Sequence, residues 1–540
     1  LPPGQSLRIV KLLSYAWSSQ RSRASLRDQA DAALASARRR GWAGLEEDQR
    51  AFLSTFWDNA DIELEGDAEL QQAVRFALFH TVQAGARAER RAIPAKGLTG
   101  AGYDGHSFWD MESFVLPVLT YTFPKAAADA LLWRHSVLDL ARERARVIGR
   151  AGAAFPWRTI RGQECSGYWP AGTAAFHINA DVADAVRRYR FVTGDEAFER
   201  DAGLELLVET ARMWRSLGHH DPQGTFRIDG VTGPDEYSCL ADDNVYTNLM
   251  AARNLQAAAD ASARLPDVAA TLGVDEEEMA SWRDAAKAIA LPFAEGLGVS
   301  EQAEEFTSHR HWDFVETKPE QYPLLLHFPY YELYRSQVVK QADLVLALWF
   351  CGDRFDKEQK ARDFAYYEAI TVRDSSLSAG PQAVVAAEVG HLDLAYDYFG
   401  EAALIDLHDL GENTHDGVHL ASLASSWLVA VAGFGGMRDH GDVLSFAPRL
   451  PSRLTRLAFR ILFQDRRLRV EVGQREASYE LLAGDPLELL HHGEQFVLSP
   501  GAVELKPVPP VPHRPAPRQP PGREPRRRVI EPYSVVEPYS

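Results

Sequence analysis

A mainly α-helical chain, closed as an α/α barrel and followed by a small antiparallel β-sheet, is the fold the sequence predicts. Three observations predict it. From residue 68 to 435, apolar residues recur at three- and four-residue steps in about a dozen segments, split by loops rich in Gly, Pro and aromatic residues. No fixed 34- or 40-residue repeat links them, which weighs against a solenoid. The chemically unusual residues all fall in the intervening loops, which a barrel gathers at one end. Beyond Gly436 the texture changes to short alternating runs.

In order along the chain, residues 7–16 carry β-branched residues in partial alternation and read as a strand, which needs partners to be stable. Ser25 to Arg40 is Ala- and Arg-rich and reads as an exposed connecting helix. Helical stripes follow near 68–84, 126–147, 203–217, 244–258, 275–290, 338–350, 357–370, 382–399 and 416–432. Within 176–192, Ile178, Val182, Val186 and Tyr189 fall on one helix face. Segments 443–446, 457–463, 468–472, 478–482 and 487–490 alternate and are separated by turn residues, as in a small antiparallel sheet. From about Lys506 the chain is rich in Pro and Arg, cannot bury a core, and is expected to be disordered through residue 540.

Composition narrows the function. Among 540 residues, 76 acidic and 58 basic side chains leave a net charge of −18, which argues against a nucleic-acid backbone as partner. No long apolar run predicts a membrane span. Cys165, Cys239 and Cys351 have no CxxC spacing, so neither a disulfide framework nor a metal site is expected, and a reducing cytoplasm fits. The chain opens on Leu1-Pro-Pro, with neither a signal-peptide pattern nor an initiator Met; it is expected to begin inside a longer protein.

Five loop clusters carry chemistry. Gly102–Glu112 sets Trp109 and Asp110 among glycines and aromatics, a mix that suits a sugar but also suits a buried loop capped by Asp. Gly230–Tyr237 holds Asp235 and Glu236 in a Gly-Pro turn. A rigid turn beside aromatics and a second acid can raise a carboxylic acid's pKa, as glycosidic cleavage requires; a plain solvated turn has the same letters. Glu412–Ser422 offers His419 and Ser422 at a helix start, an anion site or simple capping. Lys340–Asp343 and Thr371–Ser378 add cationic, amide and hydroxyl groups at helix boundaries, and neither is diagnostic alone.

Taken together and in this order, the clusters resemble glycoside hydrolase family 65, the family of maltose, trehalose and kojibiose phosphorylases and some hydrolases. The resemblance runs from Asp61–Asp67 and Ile93–Thr99 through Gly105–Asp110, Gly233–Tyr237, Lys340–Asp343, Asp374–Ser378 and Gly417–His419 to Leu444–Pro451. It implies an (α/α)6 barrel at 61–436, a C-terminal sheet at 437–505, a helical linker at 21–60 and the end of an N-terminal β-sandwich at 1–20. It also implies inverting phosphorolysis of an α-glucosidic disaccharide to β-glucose 1-phosphate. Glu236 would be the general acid, and Trp109, Asp110, Lys340 and Gln341 would hold the glucosyl unit. His419, Ser422, Ser376 and Ser378 would bind phosphate, a co-substrate, with no cofactor. Relatives are commonly dimers.

Two departures stand out. Ala424-Ser425-Ser426 replaces a usual Gly pair, and the added side chains are expected to crowd the anion. Arg373 replaces a frequent His, which an anion site tolerates. Two alternatives accompany the phosphorylase reading. One is an inverting hydrolase of trehalase or kojibiose-hydrolase type, with Glu412 as base; the other is a non-catalytic carbohydrate-binding protein.

Overall fold

The computed structural model describes residues 2–18, 21–86, 90–512 and 514–528. Leu1–Asp61 and Ile62–Ser540 form two compact units. In the first, α1 (Arg23–Ala60) starts at Ser22, whose hydroxyl accepts from the Ser25 N–H, and bends at Gly41, where φ is 69°. Residues 7–16 form no strand, and no strand occurs among the described residues before Ile62. Leu7, Ile9, Leu13 and Tyr15 are exposed. Alternation gave that stretch the look of a strand, but a strand exists only when paired. The expected sandwich remnant is therefore not seen among the described residues.

The second unit is a closed double ring of helices. Its inner segments are the π-turn Met111–Val115 running into α3 (Leu116–Thr122), α6 (His177–Thr193), α8 (Val245–Arg264), α10 (Leu344–Phe350), α12 (Ala379–Val389) and α14 (Leu420–Leu428). Each packs on the next, and α14 returns to the first. Between neighbouring inner segments lie the outer helices α2 (Ala68–Gly85), α4 (Pro124–Ser136), α7 (Leu204–Leu217), α9 (Glu276–Ala288), α11 (Lys357–Glu368) and α13 (Leu392–Leu404). A short helix, α5 (Leu138–Val147), follows α4. This is an (α/α)6 barrel. Ile178, Val182, Val186 and Tyr189 are all buried, as the stripe on α6 predicts. The run expected as one helix over 382–399 is two, because Gly390 turns the chain at φ 102°, a left-handed conformation that suits Gly.

The C-terminal domain holds β2 (Arg456–Phe463), β3 (Arg466–Val472), β4 (Glu476–Ala483), β5 (Leu487–His491), β6 (Glu494–Leu498) and β7 (Val503–Pro507); β5 and β6 form a small separate sheet with Ser445–Phe446, and the other four build the main sheet. Its first strand comes from far earlier in the chain: β1 (Ile62–Glu65) pairs with β2, giving the antiparallel order β1-β2-β3-β4-β7. Ile62, Phe459, Val470 and Tyr479 lie side by side across it, all buried. The sheet therefore brackets the barrel in sequence, and β1 hands the chain straight to α2.

The segment beyond β7 also differs from expectation. Residues 514–528 run over the barrel with their polar groups matched to carboxylates. Gln519 donates to Glu368 at 2.7 Å, Arg523 to Asp374 at 2.9 Å and Arg528 to Glu69 at 2.9 Å. A Pro- and Arg-rich segment cannot form a core, but it can be ordered by guanidinium groups that meet acids already fixed elsewhere. Residues 529–540 lie outside the described residues. No helix among those described is long and apolar enough to cross a membrane.

Candidate active site

Inner and outer helices alternate in direction, so the inner ring starts its helices at one end. Trp109 and Asp110 precede the first inner segment, Glu236 lies in the loop before α8, and Lys340 and Gln341 in the loop before α10. Ser376 and Ser378 precede α12, and His419 precedes α14. The loops that looked unusual in sequence thus share the N-terminal mouth, where exposed N–H groups and helix dipoles favour negative charge.

The Gly233–Tyr237 loop is fixed from several sides. A Cβ at Gly233 would lie 2.5 Å from Asn244 Nδ2 and 2.6 Å from Asp343 Oδ2, so only Gly fits. Fully buried Asp235 accepts from the backbone N–H of Lys340 at 2.8 Å, that of Tyr237 at 3.2 Å and the Gln302 amide at 2.9 Å. Asp343 accepts from the Asp235 N–H at 3.2 Å and the Asn244 amide at 3.1 Å. Burial pushes both carboxyls upward, Asp343 to about 8 with Asp235 adding repulsion. The Gln341 amide donates to the Pro234 carbonyl. Gln341, which the family resemblance assigns to the sugar, is buried, and its amide N–H holds the loop.

Glu236 emerges from this platform with its side chain 23% exposed, and Lys340 Nζ lies 2.7 Å from its Oε2. Burial works against the Lys340 charge, but Glu236 outweighs it and the ammonium is held above its usual range. Asp110 is raised to about 7 by burial, with repulsion from Glu112 and Glu236 adding to it. Below it, Glu112 and Arg134 form a fully buried pair at 2.7 Å that anchors this segment to α4. Trp109 is only 2% exposed, wedged edge-on against Phe114, His177 and Tyr246. It is therefore no open stacking face. Tyr103, Tyr168 and Tyr330 are the exposed rings here, and each has an electrostatic link to the Glu236–Lys340 pair or to a neighbour of it.

The second half of the mouth sorts the anion candidates. His419 is held through Nδ1 by Asp406 at 2.7 Å, and its backbone N–H donates to the other Asp406 oxygen at 2.8 Å; Nε2 faces away from that pair. Lys96 is buried, donates to the Gly417 carbonyl at 3.2 Å, and is lowered by burial against the pull of Asp406, Asp416 and Asp110. Its charge is felt by both the His419 loop and Asp110. Lys96 lay inside the Ile93–Thr99 motif, yet its letters alone gave it no role. Asp406, at the end of an outer helix, had no sequence signal.

Other candidates are otherwise engaged. The Ser422 hydroxyl donates to the Ala402 carbonyl at 3.3 Å, toward the outer ring. Arg373 grips Glu401 at 2.6 Å, so its charge is matched by protein. Ser425 and Ser426 donate back into their own helix, and Ser425 fills the space beside Gly380, 2.5 Å from where a Cβ there would stand. Ser425 thus packs α14 against α12. Ser376 is half-buried before α12. Ser378 Oγ is buried with no hydrogen-bond partner among the described residues. Glu412 sits exposed in a turn at φ 54°, and among the described residues no hydrogen bond or ion pair joins it to Glu236, Asp110 or His419. Among the described residues no group of three or more His, Cys, Asp or Glu could hold a metal ion.

Comparison with known proteins places this geometry. The model of the glycosyl hydrolase family 65 central catalytic domain matches residues 75–428, and that of the family's C-terminal domain matches 437–498. An uncharacterised glycosyl hydrolase of Mycobacterium tuberculosis is 58% identical over 523 residues, covering 95% of this chain and 66% of that protein. The α,α-trehalose phosphorylase of Thermoanaerobacter brockii is 40% identical over 511 residues, 93% of this chain and 66% of that enzyme. A solved structure, provisionally assigned as a kojibiose phosphorylase from the human microbiome, superposes with a TM-score of 0.83 at 28% identity. It covers 90% of this chain and 73% of that one. The chain thus spans just under two thirds of the two curated relatives' length.

Proposed function

This chain belongs to glycosyl hydrolase family 65, and from that premise we propose that it forms the catalytic part of an inverting α-glucoside phosphorylase. The observation that carries the reading is Glu236: a part-exposed carboxyl on a rigid buried platform, paired with Lys340 and within electrostatic reach of Asp110. The disaccharide's glucosyl hydroxyls would bind Asp110 and Lys340. A hydroxyl that takes up the Lys340 ammonium loosens its hold on Glu236, which can then carry the proton that the departing glycosidic oxygen needs. Phosphate attacks the anomeric carbon from the opposite face. The C–O bond to the acceptor sugar breaks as the C–O bond to phosphate forms, giving β-glucose 1-phosphate with inversion.

For phosphate, His419, oriented by Asp406, and Ser378, whose hydroxyl has no hydrogen-bond partner among the described residues, stand at the starts of adjacent inner helices and support the reading. Ser422 and Arg373 are not part of this proposal. A phosphate nucleophile needs no second carboxylate, which agrees with the exposed position of Glu412. The likeness to a trehalose phosphorylase makes trehalose the first substrate to try. The test incubates the full-length protein with trehalose, maltose, kojibiose and nigerose, with and without phosphate, and follows products by 31P and 1H NMR. β-Glucose 1-phosphate formed only with phosphate is the expected result. Free glucose released equally in both conditions would move the assignment to a hydrolase.

A further inference from the structure

The segment after the sheet lies beyond residue 498, where the C-terminal family model ends, and it reaches the mouth. At Arg523 its side chain does three things. Nε donates to the Val372 carbonyl at 2.7 Å, Nη2 donates to Asp374 Oδ1 at 2.9 Å, and the guanidinium lies 4.4 Å over the Tyr322 ring. The Arg523 carbonyl in turn accepts from Arg373.

Asp374 is the hub of this contact. Its other oxygen accepts from the Tyr237 hydroxyl at 2.8 Å and the Leu324 N–H at 2.8 Å, and the Leu325 N–H donates to the same Tyr237 oxygen at 3.0 Å. Tyr237 follows Glu236 directly. Tyr237, Leu324, Leu333, Val338 and Val372 form one apolar cluster, with Tyr322 and Tyr334 packed on it. The loop they anchor delivers Tyr330, which interacts electrostatically with Glu236 and Lys340, and Tyr334, whose hydroxyl accepts from Trp169 at 3.1 Å. This loop therefore supplies one wall beside Glu236. Its footing is a buried carboxylate that burial alone would disfavour in charged form; Arg523 and two further hydrogen-bond donors, the Tyr237 hydroxyl and the Leu324 N–H, keep it in place.

We propose that residues 514–528 are a strap whose Arg523, through Asp374, positions the 322–334 loop and so sets recognition of the acceptor sugar. The acceptor role rests on the phosphorylase reading; the anchoring of the loop does not. Gln519 and Arg528 fasten the strap on either side, so Arg523 is presented by a tethered backbone.

The experiment compares the full-length protein with Arg523→Ala, Arg523→Lys and, as control, Arg514→Ala, which removes only the strap's exposed pair with Glu358. Hydrogen exchange is read on peptides covering 322–326 and on the β2–β4 sheet. Arg523→Ala is expected to speed exchange at 322–326 roughly tenfold, with the sheet unchanged and Arg514→Ala silent. Arg523→Lys, which keeps charge but not the fork, falls between and guards against misfolding in the Ala variant. Unchanged exchange at 322–326, or an equal effect from Arg514→Ala, overturns the strap.

Kinetics then separate the two claims. KM for the disaccharide, and for the acceptor sugar in the reverse direction, should rise about tenfold with phosphate KM within twofold. A fall in kcat with both KM values unchanged would overturn the acceptor role. If the wild type makes no glucose 1-phosphate, the phosphorylase reading fails, while the exchange data still decide whether Arg523 holds the loop.

Discussion

The two ends of the inner ring treat the same side chain in opposite ways. At the mouth, the side chains of Asp235, Asp343 and Asp374 are buried with amides, a hydroxyl or a single cation as partners, Asp110 is part-buried, and loss of solvent drives all four upward. Toward the other end, Asp184 lies among Arg187, Arg188 and Arg253, Asp439 meets Arg188 at 2.7 Å, and Glu388 sits between Lys360 and Arg438. All three are held well below the usual carboxylate range despite their burial. A cavity of about 610 Å3 also opens there, lined by Arg187, Arg190, Arg253 and Asp260. The four aspartates at the mouth and the three acids at the far end thus differ chiefly in how many cations surround each. The far end resembles a structural clamp, and the mouth keeps carboxyls ready to take or give a proton.

The sharpest way to break this contrast is to remove one acid at each end. Glu236→Gln should lower kcat by roughly 10^3-fold while leaving the melting temperature unchanged, because a general acid supplies about 10^2- to 10^4-fold. Wild-type turnover in that variant would remove the mouth's central residue. At the other end, Asp439→Ala strands Arg188 and the Tyr121 hydroxyl, and should cost about 3–5 kcal/mol in urea unfolding. Its KM values should match wild type. A large KM change there would mean the two ends are coupled. A smaller effect sharpens the picture within the mouth. His419→Ala should raise phosphate KM roughly tenfold to a hundredfold, the worth of a hydrogen bond to a charged group of about 1.5–3 kcal/mol, whereas Ser422→Ala and Arg373→Ala should change it less than about threefold.

Much of this was legible in the chain because helices announce themselves by period and loops by Gly, Pro and aromatics. The stripe on α6, the C-terminal sheet and the position of Glu236 in a Gly-Pro turn all came from local pattern. What local pattern misses is direction and distance. Gln341 stands in a motif that by resemblance holds the sugar, yet its amide N–H donates to Pro234. Ser422 sits one turn into α14 and faces outward to Ala402. Asp406 orients His419 from 13 residues upstream, and Arg523 reaches Asp374 across 149 residues. Pro- and Arg-rich composition hid the strap because it measures what a segment can bury by itself, and this one is ordered by acids placed elsewhere.

The last contrast concerns pH, where the two ends should have opposite signs. A carboxyl raised in the folded state stabilises the protein fully below its unfolded value near 3.9, and this contribution is lost as pH rises through the folded value. For Asp343 that window runs from about 4 to about 8, because the unfolded chain ionises its aspartate freely while the buried group resists. Asp439 is depressed, so its contribution is present above pH 4 and is lost as pH falls further. Urea unfolding of wild type and Asp343→Asn between pH 4.5 and 8.5 isolates the first term. The wild type's stability relative to the variant should decline with pH, by at most about 1.4 kcal/mol per pH unit for one proton. A parallel pair of curves would mean that Asp343 is ionised throughout, and that the mouth is matched like the far end.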